Sequence, residues 1–402
     1  MNAPERPLVL EGVRVWDGVA DRTTGPLHLR IEGRRIAGFS RERRLLEGAD
    51  VWRAPTGAVA LPGLIDVHVH MSLDPSVMSV ADQLALPEAT VREAAAGRAL
   101  AMVRAGITTA RDLGGGAWLE VALRDRIDAG ELPGPRLLCA GQPLTSAGGH
   151  CHFWGGEVRG EAFAPVITRQ VKHDVDWIKV MATGGINTKG TSIREAQFDV
   201  DQLRRIREIA DRKGRPVAAH CHGTTGIRNA AEAGLASIEH CSFAGDKGFG
   251  DDFDPSLPAV IRDARSWVSP TVNAGWQRFL VDEEKARRFF DSMRRAFCAL
   301  RDAGVPLIAS TDAGIPNVRH IDLARALPVF ARFADFSNVE VLRSATRDAA
   351  HALALGNETG TLRAGFAADV LVVPGDPLME LEHLETPLLV LARGRIFEPV
   401  PL

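Results

Sequence analysis

The 402-residue chain contains no tyrosine, and aromatic residues make up only 6% of it. Any role that a phenolic hydroxyl would fill is closed to this protein. The five cysteines, Cys139, Cys151, Cys221, Cys241 and Cys298, are odd in number and scattered, with no Cys-x-x-Cys pair. That pattern argues against a disulfide framework and a thiolate zinc site, and suits reduced thiols in a cytoplasm. The formal net charge is -3 and no long basic run occurs, so the electrostatic footprint of a nucleic-acid binder is missing. No uninterrupted apolar segment reaches membrane-spanning length. Residues 1–7 lack the charged-then-apolar pattern of a signal peptide. The expectation is a cytoplasmic protein that acts on a small molecule, with no nucleic-acid or membrane partner.

What is present is ordinary in bulk. Hydrophobic residues are 45% and charged residues 25%, as in most globular proteins. The length allows one large domain with an attachment. Residues 8–16 and 27–39 alternate apolar with polar and read as short antiparallel strands. From residue 64 onward, short apolar strands alternate with helices. The strands fall near 64–70, 107–112, 136–141, 176–183, 216–220, 235–240, 266–272 and 305–311. Helices are expected at 88–105, 117–129, 161–173, 199–213, 224–233, 282–303 and 338–355, with residues 71–87 left as a long loop. Eight such repeats predict an α/β fold built on a (β/α)8 TIM barrel. Strand-like runs at 368–373 and 388–396 are expected to join the N-terminal strands in a small β-sandwich made by both ends of the chain. The implied division is residues 1–60 and 360–402 for the sandwich and 61–359 for the barrel.

The stretch Leu61-Pro-Gly-Leu-Ile-Asp-Val-His-Val-His70 carries the first chemical signal. Residues two apart on a strand share a face, so His68 and His70 present two imidazoles side by side, half of a metal site. In a barrel of this kind, functional residues sit at the C-terminal ends of strands. Strand four carries Lys179, strand five ends in His220, strand six in His240 and strand eight in Asp312. Six potential ligands from five strands thus meet at one mouth, a set far more specific than any member.

These pieces resemble the amidohydrolase superfamily. The matching stretches are Leu61–His70, Asp176-Trp-Ile-Lys179, Val217-Ala-Ala-His220, Ser237-Ile-Glu-His240 and Ser310-Thr-Asp312, together with the returning tail over residues 360–373. The resemblance runs from about residue 8 to 397. Lys179-Val-Met-Ala-Thr-Gly-Gly185 and Ala219-His-Cys-His-Gly223 make it most similar to the branch of prolidases, Xaa-Arg/Xaa-Lys dipeptidases and related amidases. It implies two divalent ions, zinc fitting the nitrogen and oxygen donors as manganese or cobalt would. His68, His70 and Asp312 would hold one ion and His220 and His240 the other. Lys179, as N6-carboxylysine, would bridge them, because a free ammonium is a poor ligand and a carbamate an anionic one. A hydroxide between ions about 3.5–4 Å apart would attack the amide carbonyl, with Asp312 moving its proton to the leaving amine. The implied activity is hydrolysis of an amide bond in a dipeptide or N-acyl amino acid.

Other residues are weighed beside these. His150 resembles a family position near the substrate carbonyl and is taken as catalytic and substrate-contacting. His222 shares a face with His220 and is a candidate substrate contact, while His152 reads as exposed. Arg111, Trp154, Arg194, Trp276 and Arg319 are placed on loops overhanging the mouth, Arg194 among them as a carboxylate clamp. Cys221 and Cys241 read as packing residues, and Glu239 and Asp66 as structural residues facing away from the ligands. Dipeptidases of this branch often use a tyrosine near the substrate, which this chain lacks. The first alternative is therefore a hydrolase of a cyclic amide, ester or xenobiotic amide on the same two-metal site. A deaminase fits less well, since mononuclear deaminases need no bridging lysine. A non-catalytic scaffold would be expected to have lost ligands, and all six are present. A homo-oligomer is left open.

Overall fold

A computed structural model describes residues 6–400 and 402. Residues 1–5, part of the segment read for a signal peptide, lie outside the described residues.

The chain opens with β1 (Leu8–Val15), β2 (Thr24–Glu32), β3 (Arg35–Ser40), β4 (Asp50–Arg53) and β5 (Val59–Pro62). Strand–helix alternation follows: β6 (Leu64–Val69), α1 (Val80–Ala85), α2 (Glu88–Arg104), β7 (Ile107–Asp112), α3 (Leu119–Asp128), β8 (Arg136–Cys139), α4 (Phe163–Lys172) and β9 (Ile178–Met181). Next come α5 (Val200–Asp211), β10 (Val217–Cys221), α6 (Thr224–Glu232), β11 (Ser237–His240), α7 (Leu257–Asp263) and β12 (Trp267–Ser269). The chain ends with α8 (Glu284–Asp302), α9 (Leu323–Ala334), α10 (Asn338–Ser344), α11 (Arg347–Ala352), β13 (Val370–Val373), β14 (Leu389–Ala392) and β15 (Arg395–Phe397).

Both ends of the chain enter one eight-stranded sheet, ordered β15-β14-β13-β5-β1-β2-β3 with β4 on β1. The seam is β13 against β5, antiparallel, with Leu371 opposite Leu61. Alternate residues of these strands bury their own apolar cluster, including Leu10, Leu29, Ile31, Val370 and Leu391.

The middle of the chain forms two parallel sheets, β6-β7-β8 and β9-β10-β11-β12. Their edges are joined. Leu144 N donates to Lys179 O at 2.8 Å and Met181 N to Leu144 O at 2.8 Å, which links β8's extension to β9. Ile308 N donates to Val268 O at 2.9 Å, and Asp312 N to His68 O at 2.9 Å. Residues 305–312 therefore connect β12 back to β6, and the pairings run full circle. Parallel strands buried on both faces read as continuous apolar runs, and β6, β7, β9, β10 and β11 are buried throughout. The opening Pro-Gly has a steric reason: a Cβ on Gly63 would overlap the Thr108 side chain.

Four expectations are corrected. Within residues 71–87, expected as a long loop, Val80–Ala85 form α1, N-capped by Ser79, whose hydroxyl accepts from the Asp82 amide. Residues 305–311 form no regular strand beyond a bridge at Leu307. Pro306 has no N–H to give, Ala309 N donates to Ser344 O at 3.1 Å, and Thr311 N donates to the Asp66 carboxylate at 3.2 Å. The expected single helix over 338–355 breaks into α10 and α11, because the carbonyls of Ser344 and Ala345 accept from Ala309 and Ile65 of the ring. Helix α9 was absent from the sequence reading. It carries Pro328 inside, a residue that ordinarily ends or kinks a helix, while Arg325 and Arg332, seven residues apart, share its less buried side.

The two sheet systems are tied by Asp369, whose carboxylate accepts from Thr359 Oγ1 at 2.8 Å, from the Arg393 amide at 2.7 Å and from Arg136 of β8 at 3.2 Å. Removing one partner of a buried ion pair costs about 3–5 kcal/mol, so Asp369→Ala is expected to destabilise by about 3 kcal/mol in urea unfolding. Asp50→Ala, at the exposed pair with Arg6, should shift stability by less than about 1 kcal/mol.

Candidate metal centre

Each histidine of the cluster spends one ring nitrogen on an anchor. His68 Nδ1 meets Glu239 Oε2 at 2.9 Å and His70 Nδ1 meets the Gly114 carbonyl at 2.8 Å. His240 Nδ1 meets Thr271 Oγ1 at 2.9 Å. His220 uses Nε2, 3.3 Å from the Gly184 carbonyl, which leaves its Nδ1 free. Such anchors fix tautomer and ring orientation in metal sites. The free Nε2 atoms of His68 and His70 lie 3.4 and 3.2 Å from Asp312 Oδ1. Ring centroids of His68 and His240 are 5.1 Å apart, those of His220 and His240 4.5 Å. Donor atoms of His68, His240 and Asp312, and likewise of His220, His222 and His240, fall within 4.8 Å of one another.

Lys179 lies on β9 with 1% of its surface exposed, and its Nζ has no hydrogen-bond partner. Burial pulls its pKa down to about 8, against the attraction of Glu239 and Asp312. Burial also lowers His68 to about 4 and holds His220 and His240 well below the usual imidazole value, helped by the charge of Lys179. These rings are neutral at pH 7, the form that binds metals. His70 departs from the rest. Burial lowers it, but the hydrogen bond and charge of Asp312 outweigh that and raise it. Burial would raise Asp312, yet His68 and His70 hold its carboxyl far below the ordinary range.

A fully buried ion pair lies under the cluster. Arg111 donates to the Val67 carbonyl at 2.7 Å, to Ser237 Oγ at 3.0 Å and to Glu239 Oε1 at 2.8 Å. Its guanidinium also stacks 4.4 Å from the Trp177 ring. Arg111 is thus part of the interior of β7 and not of an overhanging loop. Glu239 does not face away from the ligands, since it holds His68. Alternation fails at this point because His240 takes a left-handed φ of 67° where β11 stops. Asp66 likewise accepts from the His68 amide at 3.2 Å and from Thr311 Oγ1 at 2.6 Å. It stands two residues before His68, so shared strand parity was the signal for that role. Asp312 (φ 61°) and Thr271 (φ 53°) are left-handed too. Such backbone costs about 1–3 kcal/mol per residue and gathers at functional sites.

His150 and His222 border the cluster. Their rings lie 4.6 and 4.7 Å from that of His220. His150 Nδ1 meets Thr188 Oγ1 at 2.9 Å, and His222 Nδ1 meets Ser242 Oγ at 2.8 Å. Burial lowers His150 to about 4 and His222 to about 3. Trp154 leans on His70 with centroids 5.8 Å apart. The side chains of the other predicted contacts are engaged with partners outside the cluster. Arg194 is half-exposed and paired with Asp246. Arg319 is paired with Asp322 at 2.8 Å, and Trp276 packs against Phe289 and Phe333. Cys221 and Cys241 are buried.

Residues 59–397 match the amidohydrolase family model. Ochratoxinase of Aspergillus niger is 27% identical over 361 residues, covering 82% of this chain and 73% of the relative. The crystal structure of a Xaa-Pro dipeptidase with bound methionine superposes with a TM-score of 0.85 at 24% identity, covering 98% of this chain and 100% of that one. Phenylurea hydrolase B gives 0.82 at 19% identity, covering 98% and 97%. At these identities the two solved structures share the fold.

Two outcomes follow from the buried charges. Arg111→Met leaves Glu239 ionised and unpaired, so it should cost about 3–5 kcal/mol, measured by chemical unfolding. Glu120 on α3 is buried with both carboxylate oxygens unpartnered, and burial, then Asp112, push it up to about 8. The folded state thus keeps a proton that the unfolded chain loses above its ordinary value of 4.5. Stability from this group is full below that value and drains away as pH rises towards about 8. Glu120→Gln should therefore gain on the parent across that window, by at most about 1.4 kcal/mol per pH unit, with no further gain above it. Melting curves from pH 5 to 9 check this.

Proposed function

The chain belongs to the amidohydrolase family, and we propose that it hydrolyses an amide bond of a dipeptide or N-acyl amino acid at a centre of two divalent cations. The observation that carries this is Lys179 Nζ, a buried amine without a hydrogen-bond partner, set beside the histidine cluster and the carboxylates of Glu239 and Asp312. Burial of an unpaired ammonium is costly. The neutral amine, adding carbon dioxide and releasing a proton, becomes a carbamate, the second anionic oxygen donor that two cations need. The donor set has no thiolate and suits zinc, or equally manganese or cobalt.

In this reading His68, His70 and Asp312 would hold one cation, His220 and His240 the other, and Lys179 as N6-carboxylysine would supply the anionic donor shared by both. When bound, the cations polarise the amide carbonyl and make water a nucleophile at neutral pH. Asp312, with 15% of its side chain exposed, is the proton carrier from attacking water to departing amine. His150 serves the carbonyl oxygen. Thr188 Oγ1, which accepts from the Cys151 amide at 3.1 Å, has its own proton to give to His150 Nδ1, and with that bond the imidazole proton would sit on Nε2. His222, held by Ser242 through Nδ1, leaves its Nε2 for the substrate. Arg194 is a substrate contact only if it leaves Asp246.

The circle of pairings is read as a (β/α)8 barrel over residues 61–359, and the terminal sheet as a small β-sandwich of residues 1–60 and 360–402. Five free cysteines support a cytoplasmic setting. Among the described residues no helix is long and apolar enough to cross a membrane. The missing tyrosine favours the second reading, a xenobiotic amide on the same centre.

Metal analysis of pure protein should find about two divalent ions per chain, and Lys179→Ala should lower that count. Retention of both ions without the lysine would sink the bridging role. Asp312→Asn should keep the parent's circular dichroism and lose at least about a hundredfold in turnover. Normal hydrolysis by it would remove Asp312 as proton carrier, and a metal-loaded protein inert on a broad amide, ester and dipeptide panel would favour the scaffold.

A further inference from the structure

Resting on the hydrolase reading above, we infer that the group beside the scissile amide is a flat aromatic ring, received by Phe249 and Trp154. The two rings touch the cluster at histidines carried by β6 and β10, which stand four strands apart in the circle of pairings. Phe249 is half-buried and stacks on His222, with centroids 5.2 Å apart and planes 18° from parallel. Phe289 backs it at 6.1 Å. Trp154 meets His70 at 5.8 Å and is steadied by Phe153 at 5.6 Å. Beside the cluster, Gly185 lies so close to His150 that any Cβ would overlap the imidazole. The next residue, Ile186, is 70% exposed on that loop. Two aromatic side chains and one exposed aliphatic one thus stand beside the cluster, and aromatic pairs favour centroid separations of about 4.5–7 Å.

Charge on the same loops points the same way. Arg194 is committed to Asp246 and Arg319 to Asp322, while Arg278 lies over the Phe279 ring at 4.6 Å. Lys189 and Lys247 are exposed. A charged substrate side chain would have to displace an existing pair or reach out to those lysines, whereas an aromatic ring meets surface already shaped for it.

The test compares N-benzoyl-alanine, N-acetyl-alanine, Lys-Ala and Asp-Ala on the metal-loaded enzyme. The benzoyl substrate should exceed the others in kcat/KM by about tenfold or more. Phe249→Leu and Trp154→Leu should each erode that preference, chiefly through KM. Binding gives a readout independent of turnover: benzamide should bind more tightly than cyclohexanecarboxamide by calorimetry, and Phe249→Leu should abolish the difference. Faster hydrolysis of the acetyl or charged substrates, or a preference untouched in both variants, overturns the aromatic site and leaves the hydrolase reading standing. If nothing on the panel is hydrolysed, the hydrolase reading falls. The benzamide comparison then supports the aromatic site if the preference is present and lost in Phe249→Leu, and overturns it otherwise.

Discussion

The arrangement of the centre depends on one buried ion pair. Arg111 and Glu239 are both sealed from solvent, where an unpaired charge costs several kcal/mol. Each must therefore keep every partner it has. Arg111 is fixed by a carbonyl of β6, a hydroxyl and a carboxylate of β11, and the Trp177 face. Glu239 is fixed by Arg111, Ser237 Oγ at 2.6 Å and His68. The pair spans the circle from β7 to β11 and ends on a ring nitrogen of the cluster. Rigidity at His68 is then a consequence of charge burial, and the imidazole cannot turn without stranding a carboxylate.

The other anchors work at lower cost. Gly114 and Gly184 offer backbone carbonyls, and Thr271, Thr188 and Ser242 offer hydroxyls, all from loops that follow strands. Because neutral imidazole has one donor and one acceptor nitrogen, each anchor decides which nitrogen faces inward. The left-handed residues His240, Thr271 and Asp312 turn the chain at the strand ends, so that side chains which strict alternation would send apart converge. The backbone strain accepted there is small beside the desolvation of six ionisable groups in one small volume.

Legibility in the sequence follows from this hierarchy. Strand and helix periodicity gave seven of the eight ring positions their regular form, and residues at strand ends were readable because strand order fixes where they lie. Strand order put His68, His70, Lys179, His220 and His240 at one end of the ring, and Asp312 follows the irregular segment that closes it. Three kinds of residue escaped. Residues 305–311 lost their strand pattern because side chains and a neighbouring helix terminus took their amides. Helix α9 holds Pro328, which reads as a helix stop, inside an otherwise regular apolar pattern. Glu239 and Arg111 were misplaced because their roles arise from partners over a hundred positions away. Asp66 differs from these, as its parity with His68 was present in the sequence and went unused.

A division of labour follows from where the anchors stand. The groups that would hold cations are tied to strands and to the buried pair, so their positions are insensitive to what lies above. His150 and His222 are tied instead to Thr188 and Ser242, on the loops that also carry Ile186 and Phe249. Those loops are half-exposed and pack by aromatic contact, not by buried charge. Substitution there changes apolar area at roughly 25 cal/mol per Å², far less than the cost of disturbing Arg111 or Glu239. A chain of this design can alter which amide it admits through the loops while the chemistry below stays fixed.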